Sequence, residues 1–177
     1  MRVYIPATLA MLQRLVADQS MHALSGTAFA VTPTLRESYA EGDDDELAEV
    51  ALREAALASL RLLAAEGAGG ERSDGGSNPG GELPRRRAVL VADVEGATAR
   101  PDLDDAVVRL AGPIGIGDVI AAYLDNAAAE PAVAAAIEVV DAADLGDEDS
   151  ELTVGDAQDH DLAWYASQEL PFLLELL

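Results

Sequence analysis

The chain has 177 residues, 50% of them apolar but only 4% aromatic, so a core must be assembled mainly from Leu, Val and Ala. Thirty-three acids stand against 11 bases, all arginine, and the net charge of −22 disfavours nucleic acid and anionic membrane surfaces as partners. Having no cysteine, the chain can form no disulfide framework, thiolate metal site or cysteine nucleophile.

No apolar run reaches signal-peptide length or the ~18 residues of a membrane span. The expectation is a soluble, unprocessed, cytoplasmic protein with one domain over residues 1–177. The absence of lysine and the 35 alanines read as compositional bias of the source genome. The one basic cluster is Arg85-Arg86-Arg87.

Arg2-Val3-Tyr4-Ile5 has the β-branched and aromatic character of a strand, Pro6 marks a turn, and Thr8 caps a helix carrying Leu9, Leu12, Leu15 and Val16. Residues 27–31 form a second strand. With a single helix between them, these two strands are expected to be parallel. Thr32-Pro33 starts a short helix that ends near Gly42. Asp43-Asp44-Asp45-Glu46 opens a longer one, with acids at the positive end of its dipole and a stop at Gly67. Residues 67–83, GAGGERSDGGSNPGGEL, hold seven glycines and are expected to form a flexible Gly-rich loop. A lid that orders over a ligand is the functional alternative there.

Ala88-Val89-Leu90-Val91-Ala92 is apolar on both faces and reads as a central strand. Residues 106–110 are its expected antiparallel neighbour, since no helical segment separates the two. Asp118 is expected to cap a helix carrying Val119, Ile120, Tyr123 and Leu124, and Glu130-Pro131 restarts an alanine-rich helix with Val133, Ile137 and Val140 inward. An acidic, turn-rich connection over residues 144–159 leads to a last strand at 161–166. Ser167 then caps a closing helix with Leu170, Leu173, Leu174 and Leu177 on one stripe and Pro171 in its first turn. The order βαβααββααβα predicts an α+β protein, a single mixed β-sheet of about five strands with helices packed on it. From the second strand onward it matches a ferredoxin-like arrangement with an N-terminal βα extension.

The opening MRVYIPATLAMLQRL, the middle SGTAFAVTPTLRESYAEGDDDELAEVALREAALASLRLL and the closing HDLAWYASQELPFLLE resemble a family of small, acidic, uncharacterised actinobacterial proteins. The resemblance spans most of the chain apart from the glycine-rich stretch. It implies a bacterial, cytoplasmic protein with a domain of unknown function, and brings no activity, substrate or catalytic residue with it.

Gly112-Pro113-Ile114-Gly115-Ile116-Gly117-Asp118 falls between an expected strand and an expected helix, where glycine-rich loops can cradle phosphate. The spacing matches neither standard fingerprint, and Asp118 would place a carboxylate where an anion should sit. A tight turn before a capped helix is the preferred reading. Asp93, Glu95, Asp102, Asp104 and Asp105 flank the expected hairpin and could converge as oxygen ligands for Mg²⁺ or Ca²⁺ in a metal-assisted hydrolase or phosphoryl-transfer enzyme. In so acidic a chain a solvated acidic hairpin is the plainer reading.

His22 and His160 are the only side chains suited to act as bases near neutral pH. His160, between Asp159 and Asp161 and close to Ser167, invites a triad, but neighbours along a strand point to opposite faces and do not build a relay. Trp164, Tyr165 and Tyr4 are among the few large aromatics; Trp164 is expected in the core, with a partner-binding hot spot as the minority reading. The leading functional expectation is a non-catalytic interaction or regulatory module without catalytic residues, cofactor or metal, open to a protein partner but not to nucleic acid or membrane.

Overall fold

The computed structural model describes residues 1–70 and 83–177. Strand β1 (Arg2–Ala7) turns Val3, Ile5 and Ala7 to one face of the sheet, with Tyr4 and Pro6 on the other. Pro6 stays within the strand because the ladder with the neighbour on one side is confined to Tyr4↔Phe29, leaving room for a residue without an N–H. Thr8 then caps α1 (Leu9–Asp18), its hydroxyl accepting from the Met11 N–H at 3.3 Å. Beyond α1 come β2 (Ser20–Met21), a 3-10 turn (Leu24–Gly26) and β3 (Thr27–Phe29).

β1 and β3 are antiparallel, not parallel as the sequence suggested. The connection is more than a crossover helix: β2 and the 3-10 turn add a further pass, so the chain enters β3 beside the C-terminal end of β1.

The Thr32 hydroxyl accepts from the Leu35 N–H at 3.0 Å to start α2 (Pro33–Ser38). Asp43 and Glu46 open α3 (Asp44–Gly70) with a reciprocal cap, the Glu46 N–H bonding Asp43 Oδ1 at 2.9 Å and the Asp43 N–H bonding Glu46 Oε2 at 3.1 Å. The helix passes the expected stop at Gly67, since a helical glycine costs only about 1 kcal/mol. The rest of the glycine-rich stretch, residues 71–82, lies outside the described residues.

The second half supplies β4 (Ala88–Asp93), β5 (Thr98–Ala99), β6 (Val107–Arg109), β7 (Ile114–Gly115), β8 (Val119–Leu124), α4 (Glu130–Asp144), α5 (Glu148–Gln158), β9 (Ala163–Ala166) and α6 (Leu170–Glu175). Among the described residues these build an antiparallel seven-stranded sheet, β5-β6-β3-β1-β4-β8-β9, and a separate pair, β2-β7. The class is α+β, but the sheet is larger than expected and not mixed. The anticipated hairpin of residues 88–92 with 106–110 is absent: β3 and β1 lie between β4 and β6, and β6 pairs with β5 and β3. The ferredoxin-like order, which needs that hairpin, is therefore not the one formed.

Two further segments differ in kind. Residues 119–124, expected to be helical, are strand β8, paired with β4 on one side and β9 on the other. In Val-Ile-Ala-Ala-Tyr-Leu the apolar residues suit a short helical stripe and a strand equally well, and insertion between two strands decides the matter. Residues 148–158, expected to be a turn-rich connection, are helix α5. Gly146, at φ +96°, closes α4 in a Schellman arrangement, its N–H bonding the Ala143 carbonyl and that of Asp147 the Ala142 carbonyl. Asp147 then caps α5 through the Ser150 N–H at 3.0 Å.

Val3, Ile5, Leu90, Val108 and Leu124 fill one face of the large sheet against Leu12 and Leu15 of α1 and Leu170 of α6. On the other face Phe29, Val89 and Val107 meet Leu35 of α2 and the small stripe Ala51, Ala55 and Ala56 of α3. Small residues let α3 lie close to the strands. Ser59 anchors it, donating to the Ala7 carbonyl at 2.7 Å and accepting from the Ala88 N–H at 3.0 Å where β1 ends and β4 begins. Farther along, Leu60 and Leu63 pack on Val133, Ala136 and Val140 of α4 and Val154 and Ala157 of α5. Among the described residues no helix is long and apolar enough to cross a membrane.

Candidate functional site

The five carboxylates proposed as metal ligands do not gather. Asp93, the last residue of β4, sits opposite Arg2 of β1 and receives its guanidinium at 3.3 Å, a bond that holds the Arg2 pKa above its ordinary value. Asp102 is held by Arg100 through bonds of 2.8 and 2.7 Å, which push its carboxyl below the usual carboxylate range. Asp105 accepts from the Ser38 hydroxyl at 2.6 Å, and its carbonyl accepts from Thr32 at the cap of α2. Asp104 faces the Ala106 N–H at 3.5 Å. Among the described residues no three His, Asp or Glu side chains are grouped as metal ligands would be.

Asp93 and Glu95 do share a cleft of about 380 Å³ with the glycine-rich loop, whose Gly112, Pro113, Ile114 and Asp118 form its other wall. Two separate sequence candidates thus meet, yet the loop does not run from a strand into a helix. Ile114 and Gly115 form β7, and the Asp118 carboxylate accepts from the Gly115 N–H at 3.1 Å, closing a 3-10 turn (Ile116–Asp118) ahead of β8. Three carboxylates border the cleft, and its lining includes no His, Ser or Thr. Such a site repels phosphate and offers carboxylates but no hydroxyl nucleophile or imidazole base.

His22 is exposed. His160 lies in the turn before β9, its carbonyl accepting from Arg87 at 2.8 Å. Ser167 belongs to a 3-10 turn (Ser167–Glu169) rather than capping α6, and the Glu169 carboxylate takes the Ala166 N–H at 2.9 Å. No relay from His160 to Ser167 is formed.

A feature missed by sequence reading is the buried ion pair Arg87–Asp125. Arg87 Nε and Nη2 reach the two carboxylate oxygens at 2.9 and 2.8 Å, the Arg87 N–H adds a third bond at 2.8 Å, and both side chains are buried. One signal was available: Arg87 immediately precedes an apolar strand, Asp125 immediately follows another, and antiparallel pairing of the two strands brings them together. Arg86 lies 3.5 Å from Glu130, so two of the three clustered arginines face acids of their own chain.

Trp164 corrects another expectation: it is 57% exposed. It stands opposite Tyr123 on the outermost strand of the large sheet, whereas α3 lies over β1, β3 and β4. Tyr165, on the opposite face, packs into the core beside α6 instead. From residue 110 to 177 the chain holds nine aspartates, six glutamates and no lysine or arginine. Among the described residues only Asp125, Glu130 and Asp144 of those acids meet an arginine. The outermost strand β9 thus carries an exposed aromatic with Asp159, Asp161 and Glu169 exposed on either side of it in sequence.

No curated protein and no solved structure matches the chain. A family profile does, over residues 1–174, nearly the whole sequence. The chain thus belongs to DUF6912, a family of unknown function.

Proposed function

We propose that the protein is a non-catalytic interaction or regulatory module of the actinobacterial cytoplasm that presents β9 and Trp164 to a protein partner. The observation that carries this reading is the exposure of the chain's one tryptophan on an edge strand. Aromatic anchors of this kind dominate interface energetics, and a tryptophan left in water gives up burial that a partner would restore. The dispersal of Asp93, Asp102 and Asp105 onto separate partners favours this reading over a metal-assisted hydrolase. The long acidic C-terminal run argues against nucleic acid and anionic membrane as partners.

Site-specific photo-cross-linking in cells tests it. A benzoylphenylalanine replaces Trp164 in one protein and Tyr39, exposed elsewhere, in another. The expected result is a discrete adduct from position 164 alone, competed by excess wild-type protein and not by excess Trp164→Ala. No adduct, or the same adducts from both positions, overturns the reading.

A further inference from the structure

We infer that the partner element is an extended, arginine-bearing segment that adds to β9 as a further strand and stacks an arginine on Trp164; this rests on the interaction-module reading above. β9 is last in the sheet order, and among the described residues no strand pairs with its outer side. Its Ala166 N–H is bonded by Glu169 instead of by β8, so the alternation of an antiparallel ladder turns the N–H and C=O of Trp164, two residues earlier, away from the sheet. Edge strands are commonly blunted by a charge, a proline or a bulge. Ala163-Trp164-Tyr165-Ala166 carries none of these, and its pairing with β8 is in regular register. Unpaired backbone groups at strand spacing are what an extended segment recognises, whereas a helix could not use them.

Charge complementarity selects the chemistry of that segment. Asp159, Asp161 and Glu169 flank the strand in exposed positions, and Arg87, which reaches the His160 carbonyl beside it, is buried and neutralised by Asp125. A second copy would bring another net charge of −22 to the same edge and is disfavoured, as is any acidic segment. Arginine fits better than lysine because its planar guanidinium stacks on an indole while donating to carboxylates at its rim.

The probe is an end-capped peptide Arg-Val-Arg-Val-Arg-Val, which as a strand sets every arginine on one face. Controls are its glutamate counterpart and the same arginine peptide N-methylated at every residue, which keeps the charge and loses the strand-pairing donors of both edges. Because Trp164 is the only tryptophan, its fluorescence reports on this edge alone. A saturable shift with the arginine peptide is expected, weakened by added salt and absent with both controls. Calorimetry should show about tenfold weaker binding to Trp164→Leu and an intermediate loss with Trp164→Phe.

Equal binding of the N-methylated peptide, or no effect of Trp164→Leu, overturns strand addition. Trp164-dependent self-association in sedimentation would overturn it in favour of a second copy. No peptide response alongside a retained position-164 adduct overturns the inference and leaves the module reading standing; loss of the adduct removes both.

Discussion

Arg87 and Asp125 are charges held out of water, and each is tolerable only because the other is there. Replacing one strands its partner. Arg87→Met should therefore cost about 3–5 kcal/mol in a urea melt, and adding Asp125→Leu should recover most of that loss. The Ser59 hydroxyl bridges a buried carbonyl and a buried N–H, so Ser59→Ala should cost about 1–3 kcal/mol by leaving both unpaired. Glu54 and Asp144 make opposite predictions with pH. Burial, and then the nearby Asp104, raise the Glu54 pKa; its stabilising contribution is complete below the unfolded pKa and is lost as pH rises through the folded value. Glu54→Gln should thus raise the melting temperature at neutral pH and give no gain near pH 3. The hydrogen bond from Arg61 lowers the Asp144 pKa, so its contribution is present above the unfolded pKa and disappears as pH falls through the folded one. Asp144→Asn should lower the melting temperature only at the higher pH. The loss should stay within about 1 kcal/mol, because the pair is half exposed.

The last two elements, β9 and α6, close the molecule at opposite surfaces of one short segment. β9 covers the outer side of β8, and α6 packs Leu170 against the α1 side of the core, where it is completely buried. Leu170→Ala should cost about 2–5 kcal/mol, depending on how far α1 can close the gap. Deleting residues 161–177 should do more. It removes both elements, lays bare the edge of β8 and the underside of α1, and should abolish the cooperative transition seen by near-ultraviolet circular dichroism. An unchanged cooperative melt would show that this segment is a detachable docking peptide. Trp164 belongs to the same segment without sharing that role, so Trp164→Ala should shift the melt by no more than about 0.5 kcal/mol, as for an exposed position.

With a net charge of −22 the whole molecule repels itself, and monovalent salt should raise its melting temperature by screening. Millimolar Mg²⁺ or Ca²⁺ should do no more than monovalent salt of equal ionic strength, and Asp93→Asn with Asp105→Asn should leave that response unchanged. A saturable stabilisation sensitive to those two substitutions would instead require a defined ion site and would sink the module reading. At this scale the division between local and global information is plain. Caps and turns act within about four residues, which is why Thr8, Thr32, Asp43 and Pro131 located four helix starts from sequence alone. The helix α5 escaped because it buries little beyond Val154 and Ala157, leaving almost no apolar periodicity to read. β8 escaped because its six residues suit either period until β4 and β9 flank it. Composition by itself determined the small-residue core, the absence of thiol chemistry and the acidic surface. The order of the strands, the pairing of Arg87 with an acid 38 residues away, the scattering of the five carboxylates and the exposure of Trp164 were decided only in the tertiary structure. Each depends on which distant segments pack together, a free energy that no short window of sequence contains.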